Sequence, residues 1–346
     1  MKIVIYISTV LLLFSCSKEE LGPQCISCNE ENTNTEYADL LIVNEGNFGN
    51  GSGAISLYKP SNKSVTQNLF FQANGTFIGN VAQSITQIDD KAYIVINNSN
   101  KIEIVDIHTF NTLATISGFN SPRYLLPINN NKAYVTDLYS NSIQIVNLTN
   151  NTISGSISLS GWTEELILVN DTVYVCDVTN DNLLIINSTT NTLIDSVKLG
   201  IQPNSIIKDQ NNKLWIMCDG GINEATPKLI KFNPQARSIE ATYLFPNTSE
   251  SPGNLKINTT GNQLYFINSA IYRMNINDVS LPTNPFITNN GNIYYGLGID
   301  PINEDVYVSD AIDYVQNGII FRYSNTGALV DQFNSGIIPG EFLFIK

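Results

Sequence analysis

The 346-residue sequence is poor in charged side chains, since Asp, Glu, Lys and Arg together make up only 14% of it. It has a single histidine, His108, which excludes most metal sites and acid–base schemes that need two imidazoles. Basic residues are especially scarce, because 18 Lys and Arg stand against 31 Asp and Glu and give a formal net charge of −13. An acidic surface repels phosphate backbones, and we therefore expect no nucleic-acid partner.

Long apolar runs are also missing. After residue 14, no segment approaches the roughly 18 consecutive apolar residues that a transmembrane helix needs. The sequence is instead rich in asparagine, with 47 copies, and Asn favours turns over helix interiors. Because 42% of the residues are apolar, there is still material for a large core. The composition therefore predicts a folded protein that is not mainly helical.

Residues 1–15 have the pattern of a secretory signal, with Lys2 followed by an apolar run over residues 3–14. The segment Leu13-Phe14-Ser15-Cys16 resembles a bacterial lipobox, which implies cleavage before Cys16 and acylation of that cysteine. Lipid chains on Cys16 would hold the protein on a membrane. An ordinary cleaved signal with an incidental cysteine is the alternative interpretation.

The acidic stretch SKEE at residues 17–20 resembles the export tag of Bacteroidetes surface lipoproteins. We therefore expect a lipid-anchored, surface-exposed protein of the outer membrane, with a lipidated flexible linker over residues 16–36 and a folded domain over 37–346. Cys25 and Cys28 lie in that linker, where a lone CxxC is a poor zinc site and at most a small disulfide loop. Cys176 and Cys218 lie in apolar strand patterns, and we expect them to be buried thiols.

Three stretches repeat one pattern: KAYIVI at 91–96, KAYVTD at 132–137 and TVYVCD at 172–177. Each is followed by a polar turn, a second apolar strand pattern and an Asn-Thr pair that opens another strand. Together with weaker copies they give seven anchor residues: Leu41, Tyr93, Tyr134, Tyr174, Trp215, Tyr265 and Tyr307. Consecutive anchors are 52, 41, 40, 41, 50 and 42 residues apart, which indicates seven copies of one unit.

Period-2 apolar alternation with Asn, Gly and Ser between the runs is typical of antiparallel strands. Four strands in about 40 residues make one propeller blade. The sequence therefore predicts an all-β fold, a seven-bladed β-propeller of four-stranded antiparallel blades. Residues 341–345 would be the innermost strand of blade one and would close the ring. A linear β-array is the competing interpretation, and the absence of a short solenoid period disfavours it.

The aligned segments resemble the YVTN/YncE-like β-propeller family over residues 38–346. Within it, LIVNEGNFG at 41–49 and GIIPGEFLF at 336–344 are similar to a narrower group of Bacteroidetes surface lipoproteins, which includes the BtuG-type cobalamin-capture proteins. This resemblance implies a protein that binds cobalamin or a related corrinoid and hands it to a TonB-dependent outer-membrane transporter. It implies no catalysis and no cofactor.

The longest inter-anchor intervals point to one binding face. Their extra residues, at 45–53, 71–77, 219–227 and 246–254, map to the face that carries the loops between blades, as do residues 311–318. Aromatic and amide side chains on that face suit a flat, amphipathic ligand. The ligand-binding candidates are Phe48, Arg123, Tyr124, Tyr139, Trp162, Glu164, Asn204, Asn254, Tyr294, Tyr295 and Tyr314. Glu341 enters the last inner strand at an equivalent position, and the alternative is that these side chains only seal the channel.

The sequence gives only weak indications of catalytic or metal-binding chemistry. We expect His108 to be a surface residue on the opposite face, with no catalytic residues and no metal site in the chain. The acidic group Asp300, Glu304, Asp305, Asp310 and Asp313 lacks the spacing of a calcium loop. Two functions remain as alternatives to ligand capture: an adhesion or assembly module for a protein or glycan, and a propeller lactonase or lyase.

Overall fold

The strand repeats form seven antiparallel sheets around one axis, which makes the protein a seven-bladed β-propeller. A computed structural model describes residues 38–345. Period-2 sequences form strands because successive side chains point to opposite faces of a sheet, and the apolar ones are buried between neighbouring blades. The predicted fold class is confirmed.

The elements follow in chain order. Blade one contains β1 (Asp39–Asn44), β2 (Ala54–Lys59) and β3 (Ser64–Thr66), and is followed by the helix α1 (Leu69–Asn74). Blade two contains β4 (Ala82–Ile88), β5 (Lys91–Ile96), a 3₁₀ turn (Asn97–Ser99), β6 (Lys101–Asp106) and β7 (Thr112–Ser117). Blade three contains β8 (Pro122–Asn129), β9 (Lys132–Asp137), β10 (Ser142–Asn147) and β11 (Thr152–Ser158). Blade four contains β12 (Thr163–Val169), β13 (Thr172–Asp177), β14 (Asn182–Asn187) and β15 (Thr192–Lys198).

The remaining blades complete the ring. Blade five contains β16 (Pro203–Lys208), β17 (Leu214–Cys218), β18 (Lys228–Asn233) and β19 (Ser238–Leu244). Blade six contains β20 (Gly253–Ile257), β21 (Gln263–Asn268) and β22 (Ala270–Asn275). Blade seven contains β23 (Tyr294–Ile299), β24 (Val306–Asp310), β25 (Asn317–Tyr323) and β26 (Leu329–Ile337), and β27 (Pro339–Ile345) returns to blade one.

The C-terminal strand closes the ring, as predicted. Strand β27 is the innermost strand of blade one and pairs antiparallel with β1, with Leu41 opposite Leu343. The inner strands contact one another in the closed order β4, β8, β12, β16, β20, β23, β27 and again β4. Because the ring is closed, the inner edge of each blade is enclosed by the inner strands of the other blades. This protects those edges from pairing with another sheet.

The seven anchor residues occupy equivalent places in the fold. All of them lie in the second strand of a blade, and none is more than 3% exposed. Second strands are covered on both faces by the adjacent blades, and therefore read as continuous apolar runs such as that of β5. In the fourth strand β15 six of the seven residues are exposed, and Asp195, Ser196 and Lys198 interrupt the apolar pattern. Cys176 and Cys218 are buried free thiols in second strands, as predicted.

The high asparagine content has a local cause in the turns between third and fourth strands. The side-chain Oδ1 of Asn147 accepts hydrogen bonds from the backbone N–H groups of Thr149 and Asn150, at 2.8 and 3.3 Å. Asn151 then takes a left-handed φ of 56°, which Asn tolerates better than most residues. Asn187 and Asn191 repeat the arrangement one blade later.

Blade six departs from the four-stranded pattern. Its fourth strand is reduced to a single antiparallel bridge between Ile271 and Ile287, within the long connection from β22 to β23. The other six blades have four strands, and blade one reaches that number only with β27.

The N-terminal predictions lie outside the described residues. These are the signal peptide, the acylated Cys16, the linker with Cys25 and Cys28, and the domain boundary at residue 37. Within residues 38–345, no helix is long and apolar enough to cross a membrane.

Candidate functional site

One face of the propeller carries the connections between blades and between second and third strands. We call it the loop face. The insertions at 45–53 and 219–227 join second to third strands, and 246–254 joins β19 to β20, so all three belong to this face. Residues 311–316 join β24 to β25 and also lie there.

The fourth insertion, at residues 71–77, does not follow the prediction. It contains part of helix α1, and the amide of Asn74 donates to the carbonyl of Phe110 at 2.9 Å. Asn74 also accepts a hydrogen bond from the backbone N–H of Thr112 at 2.9 Å. Phe110 lies in the turn from β6 to β7 and Thr112 is the first residue of β7, so both are at the opposite face. The buried ring of Phe70 explains this placement, because it joins the core cluster of Ile107 and Phe110.

Every inner strand is irregular where it begins at the loop face. Against its second strand, each has a register shift within its first residues, for example between Pro122 and Leu125 and between Thr163 and Leu166. Such bulges insert extra residues into a strand and re-aim their side chains. The second residues of the seven inner strands, which sit at these bulges, are Gln83, Arg123, Glu164, Asn204, Asn254, Tyr295 and Gly340.

All of these residues except Glu164 line a cavity at the axis. The cavity has a volume of about 430 Å³, and we call it the mouth. It is lined by Glu45, Gln83, Arg123, Tyr124, Asn204, Asp219, Ser251, Gly253, Asn254, Ile267, Tyr294, Tyr295, Gly340 and Glu341. Trp162 and Glu164 line an adjoining cavity of about 230 Å³ that shares Arg123 and Tyr124 with the mouth. The structure therefore brings together eight of the eleven predicted site residues.

Arg123 is fixed by a carboxylate from the next blade. Its Nε donates to Glu164 Oε1 at 2.8 Å and its Nη2 to Glu164 Oε2 at 3.2 Å, while Nη1 donates to Gln83. The indole N–H of Trp162 donates to the same carboxylate. Two-point pairing of this kind sets both the position and the plane of the guanidinium.

Glu45 and Tyr295 form a second polar pair in the mouth. The Tyr295 hydroxyl donates to Glu45 Oε1 at 2.8 Å, and Gly340 gives this pair its space, since a Cβ there would lie 2.8 Å from the same oxygen. Burial raises the pKa of Glu45 to about 7, against the lowering effects of the Tyr295 hydrogen bond and the Arg123 charge. The amide of Asn254 holds the backbone of this wall by donating to the Tyr295 carbonyl at 2.7 Å.

Below the mouth lies the axial channel, a cavity of about 260 Å³ walled by six of the seven inner strands. Lys256 and Glu341 face each other there, with Nζ 3.3 Å from Oε1. Glu165 accepts a hydrogen bond from the backbone N–H of Ile206 at 2.9 Å. Burial raises the pKa of Glu165 to about 7, and the nearby carboxylates of Glu341 and Glu164 add to the effect.

Three of the predicted residues lie on the rim of the loop face rather than in the mouth. Phe48 and Tyr139 are 73% and 72% exposed, and Tyr314 is 43% exposed with its ring 5.8 Å from that of Tyr295. The Phe48 loop is held next to Tyr314, since the amide of Asn47 donates to the Tyr314 carbonyl at 2.7 Å. Exposed aromatics around a concave polar site are typical of binding surfaces.

Tyr294 has a largely structural position. Although it borders the mouth, its side chain is buried in the core between blades six and seven, in one cluster with Ile267 and Leu297. Its hydroxyl lies 3.5 Å from both the Thr288 carbonyl and the Tyr323 hydroxyl.

Five charged or amide residues of the mouth and channel are absent from the predicted ligand-binding candidates: Glu45, Gln83, Glu165, Asp219 and Lys256. Glu45 and Asp219 do begin two of the insertions that were assigned to the binding face. Gln83 could have been predicted from the sequence, because AQSI at 82–85 and PNSI at 203–206 are the same part of the repeat and Asn204 was a candidate. Glu165 was harder to find, since strict alternation places it on the opposite side of the strand from Glu164. Only the bulge of β12 puts both side chains toward the axis.

His108 and the acidic group lie away from the mouth. His108 is exposed in the turn from β6 to β7, with Nε2 3.6 Å from Asp90 Oδ1. Asp300 and Asp305 flank the turn from β23 to β24, whereas Asp310 ends β24 at the loop face. Among residues 38–345, no group of three or more His, Cys, Asp and Glu side chains is arranged to hold a metal ion.

Known structures share this architecture. A quinonprotein alcohol dehydrogenase-like protein from Bacteroides thetaiotaomicron is 17% identical, with a TM-score of 0.71 over 90% of this chain and 79% of that one. A putative 6-phosphogluconolactonase from Bacteroides fragilis is 15% identical, with a TM-score of 0.69 over 91% and 99% of the two chains. A periplasmic gluconolactonase from Pseudomonas aeruginosa is 11% identical, with a TM-score of 0.67 over 89% and 99%. At these identities the likeness shows the fold alone.

Sequence comparison identifies the family without an activity. No curated protein matches the chain significantly. The model of one protein family, described as a domain of unknown function (DUF5074), matches residues 39–337, which is nearly the whole propeller. The chain therefore belongs to the DUF5074 family.

Proposed function

We propose that the protein is a non-catalytic binding protein that holds a small amphipathic ligand over the mouth. The observation that carries this proposal is the coincidence of two features on one face. Bulges of the inner strands turn polar side chains into a concave mouth, and exposed aromatics stand on the rim around it. A polar centre within an apolar rim suits a ligand that has hydrogen-bonding groups and broad apolar faces.

The ligand class that we propose is a corrinoid. Its macrocycle is larger than the mouth, so it would lie across the loop face against Phe48, Tyr139 and Tyr314 and present polar edge groups to the mouth. Support comes from the resemblance of residues 41–49 and 336–344 to BtuG-type surface lipoproteins. Both segments adjoin the mouth here, since they contain Glu45 and Glu341. In this proposal the protein is anchored to the outer membrane through Cys16 and hands the corrinoid to a TonB-dependent transporter.

Isothermal titration of a purified soluble form, residues 17–346, which omits Cys16, with cobinamide and cyanocobalamin tests the ligand class. We expect saturable binding at micromolar concentration or below. No heat and no shift of the corrinoid absorption spectrum at that concentration would exclude corrinoids. An unchanged affinity in a Phe48→Ala, Tyr139→Ala double variant would exclude these two rim aromatics as ligand contacts.

A second candidate function is supported by the Glu45–Tyr295 pair. A buried carboxyl with a pKa of about 7 in a cavity is suited to general acid–base catalysis near neutral pH. A propeller hydrolase acting on a sugar lactone would use the ionised carboxylate to take a proton from the water that attacks the lactone carbonyl. The protonated carboxyl would then return that proton to the ring oxygen as the C–O bond of the lactone breaks. Turnover of gluconolactone by the wild type that is lost in Glu45→Gln would favour this function over simple binding.

A further inference from the structure

The loop that carries Phe48 is rich in glycine. Residues 46–53 contain four glycines, at positions 46, 49, 51 and 53. A chain of this composition samples many conformations unless contacts restrain it. The Phe48 ring is 73% exposed, so its own packing does little to fix it. The position of the ring therefore depends on how the backbone around it is held.

Backbone hydrogen bonds hold the start of this loop but not its tip. The N–H of Glu45 donates to the carbonyl of Ile338 at 2.9 Å, and the side chain of Asn47 is tied to the Tyr314 carbonyl. Within the described part of the chain, residues 48–51 form no backbone–backbone hydrogen bond to any other segment. Only a side chain from another segment can therefore restrain the tip.

Asn80, which precedes β4 in blade two, supplies this restraint. Its Nδ2 donates to the carbonyl of Asn47 at 2.7 Å and to the carbonyl of Gly51. Its Oδ1 accepts a hydrogen bond from the backbone N–H of Gly49 at 3.0 Å. The three contacts lie immediately before and after Phe48, so one side chain holds the backbone on both sides of the ring.

Asn80 is itself fixed to the 3₁₀ turn of blade two. Its backbone N–H donates to Ser99 Oγ at 2.9 Å, and the Ser99 hydroxyl donates to the Asn80 carbonyl at 3.1 Å. The side-chain amide of Asn98 donates to Asn80 Oδ1 at 2.8 Å. The restraint on the Phe48 loop is therefore anchored in a neighbouring blade.

Asn80 has no group left for a ligand. A side-chain amide offers two N–H donors and two acceptor lone pairs, and the contacts to the loop and to Asn98 occupy all four. Asn80 is also absent from the lining of the mouth, the adjoining cavity and the channel. It can therefore affect a ligand only through the loop.

We propose that Asn80 is a positioning residue, which holds the Phe48 loop in the conformation that binds the ligand. The inference deepens the proposed function and rests on it in taking Phe48 as a ligand contact. A loop that is ordered before binding loses less conformational freedom when the ligand arrives, and this difference increases the affinity. Loss of the Asn80 side chain should therefore weaken binding, although Asn80 does not touch the ligand.

Hydrogen–deuterium exchange of the purified soluble form, residues 17–346, measures the restraint without any ligand. In Asn80→Ala, the backbone N–H of Gly49 loses its acceptor and should exchange about tenfold faster than in wild type, or more. Unchanged exchange at Gly49 would overturn the inference. If the variant does not fold, the wild type decides, because its Gly49 N–H should exchange about tenfold more slowly than the Gly51 N–H. The latter donates to no group in the described residues, and equal rates would show that Asn80 does not hold the tip.

Calorimetric titration with cyanocobalamin measures the effect on binding. Asn80→Ala should weaken the affinity about tenfold. In a Phe48→Ala background the same change should have less than about a twofold effect, because the loop then has no ring to position. Additive losses in the double variant would overturn the inference. So would a wild-type affinity of Asn80→Ala beside a weakened Phe48→Ala.

Two further variants distinguish positioning from a general loss of stability. Asn80→Asp keeps the size of the side chain but turns a carboxylate toward the carbonyls of Asn47 and Gly51, so it should weaken binding at least as much as Asn80→Ala. Asn147→Ala removes an amide that holds a turn on the opposite face, and should leave the affinity within about twofold of wild type. A wild-type affinity of Asn80→Asp, or equal weakening by Asn147→Ala, would contradict the positioning role.

The outcomes separate this inference from the proposed function. No corrinoid binding by the wild type would remove the corrinoid as the ligand class, and exchange at Gly49 would still decide whether Asn80 holds the Phe48 loop. Corrinoid binding that Phe48→Ala weakens and Asn80→Ala leaves unchanged would overturn the inference and leave the proposed function intact.

Discussion

Arg123 and Glu164 join two consecutive blades at the mouth, with the guanidinium Nε 2.8 Å and Nη2 3.2 Å from the two carboxylate oxygens. The Glu164 side chain is only 4% exposed and that of Arg123 19%. A pair this sheltered differs from an exposed ion pair, because neither charge can recover full hydration when its partner is lost.

Removal of either partner should therefore destabilise the folded protein. We expect Glu164→Gln to lower the free energy of unfolding by about 2–3 kcal/mol, since it leaves the Arg123 charge uncompensated in a partly buried site. An Arg123→Met, Glu164→Leu double variant should lose less than the single variant, because it removes both charges. Urea unfolding of the three proteins measures this. A single variant within 0.5 kcal/mol of wild type would show that the pair is solvated like a surface pair.

The free energy of unfolding should depend on pH through the titration of the Glu165 carboxyl. Its carboxyl keeps a proton up to about pH 7 in the folded chain, whereas the ordinary pKa is 4.5. Between these values the folded state holds more protons than the unfolded state, so the free energy of unfolding falls as pH rises. The Glu165→Gln variant has no titratable group at this position, so it does not lose this part of its free energy of unfolding as pH rises. We expect the variant to match wild type near pH 4 and to be more stable at pH 8, by on the order of 2 kcal/mol.

Denaturant unfolding of both proteins at pH 4, 6 and 8 checks the sign. A stability difference that stays constant across this range would mean that Glu165 titrates normally in the folded chain. Lower stability of the variant at pH 8 would mean that the ionised carboxylate is stabilising there, through Lys256.

Ring closure should depend on Asn44 at the end of β1. Its amide donates to the carbonyls of Ile42 and Ala54, and its Oδ1 accepts from Ser335 Oγ and the Gly336 N–H, both at 2.8 Å. The side chain is buried, so Asn44→Ala leaves several groups without partners and should cost about 2–4 kcal/mol. Thermal unfolding measures the change, and Asn50→Ala, at an exposed loop position, serves as the control. A loss of less than 1 kcal/mol would show that β27 pairing alone closes the ring.

The fold was largely predictable because each blade repeats one burial pattern. Tyr93, Tyr134 and Tyr174 recur at nearly constant spacing since each fills the same position between adjacent sheets. The site was less predictable because it depends on departures from the strand pattern. The bulge of β12 turns Glu165 toward the axis against strict alternation, and Glu45 reaches the mouth only after ring closure brings blade one beside Tyr295.

The helix insertion shows the same limit. Its length and its position between β3 and β4 predicted a loop on the loop face, and topology alone gives no other answer. The structure places the segment elsewhere because the apolar side chain of Phe70 is buried beside Ile107 and Phe110. This contact holds the segment near the face opposite the loop face. The spacing of the repeats does not encode how this one side chain packs. One of the four insertions that were predicted for the binding face therefore lies elsewhere.

The rim aromatics allow binding to be tested apart from stability. The ring of Phe48 is 73% exposed, so Phe48→Ala should change the free energy of unfolding by no more than about 0.5 kcal/mol. If the ligand packs on the rim, the same change removes apolar contact area and should weaken corrinoid binding roughly tenfold. Leu113→Ala, at a 52% exposed position in β7, removes a comparable apolar group elsewhere and should leave the affinity unchanged. Equal affinities of the Phe48 and Leu113 variants in calorimetric titration would show that the ligand does not contact this part of the rim.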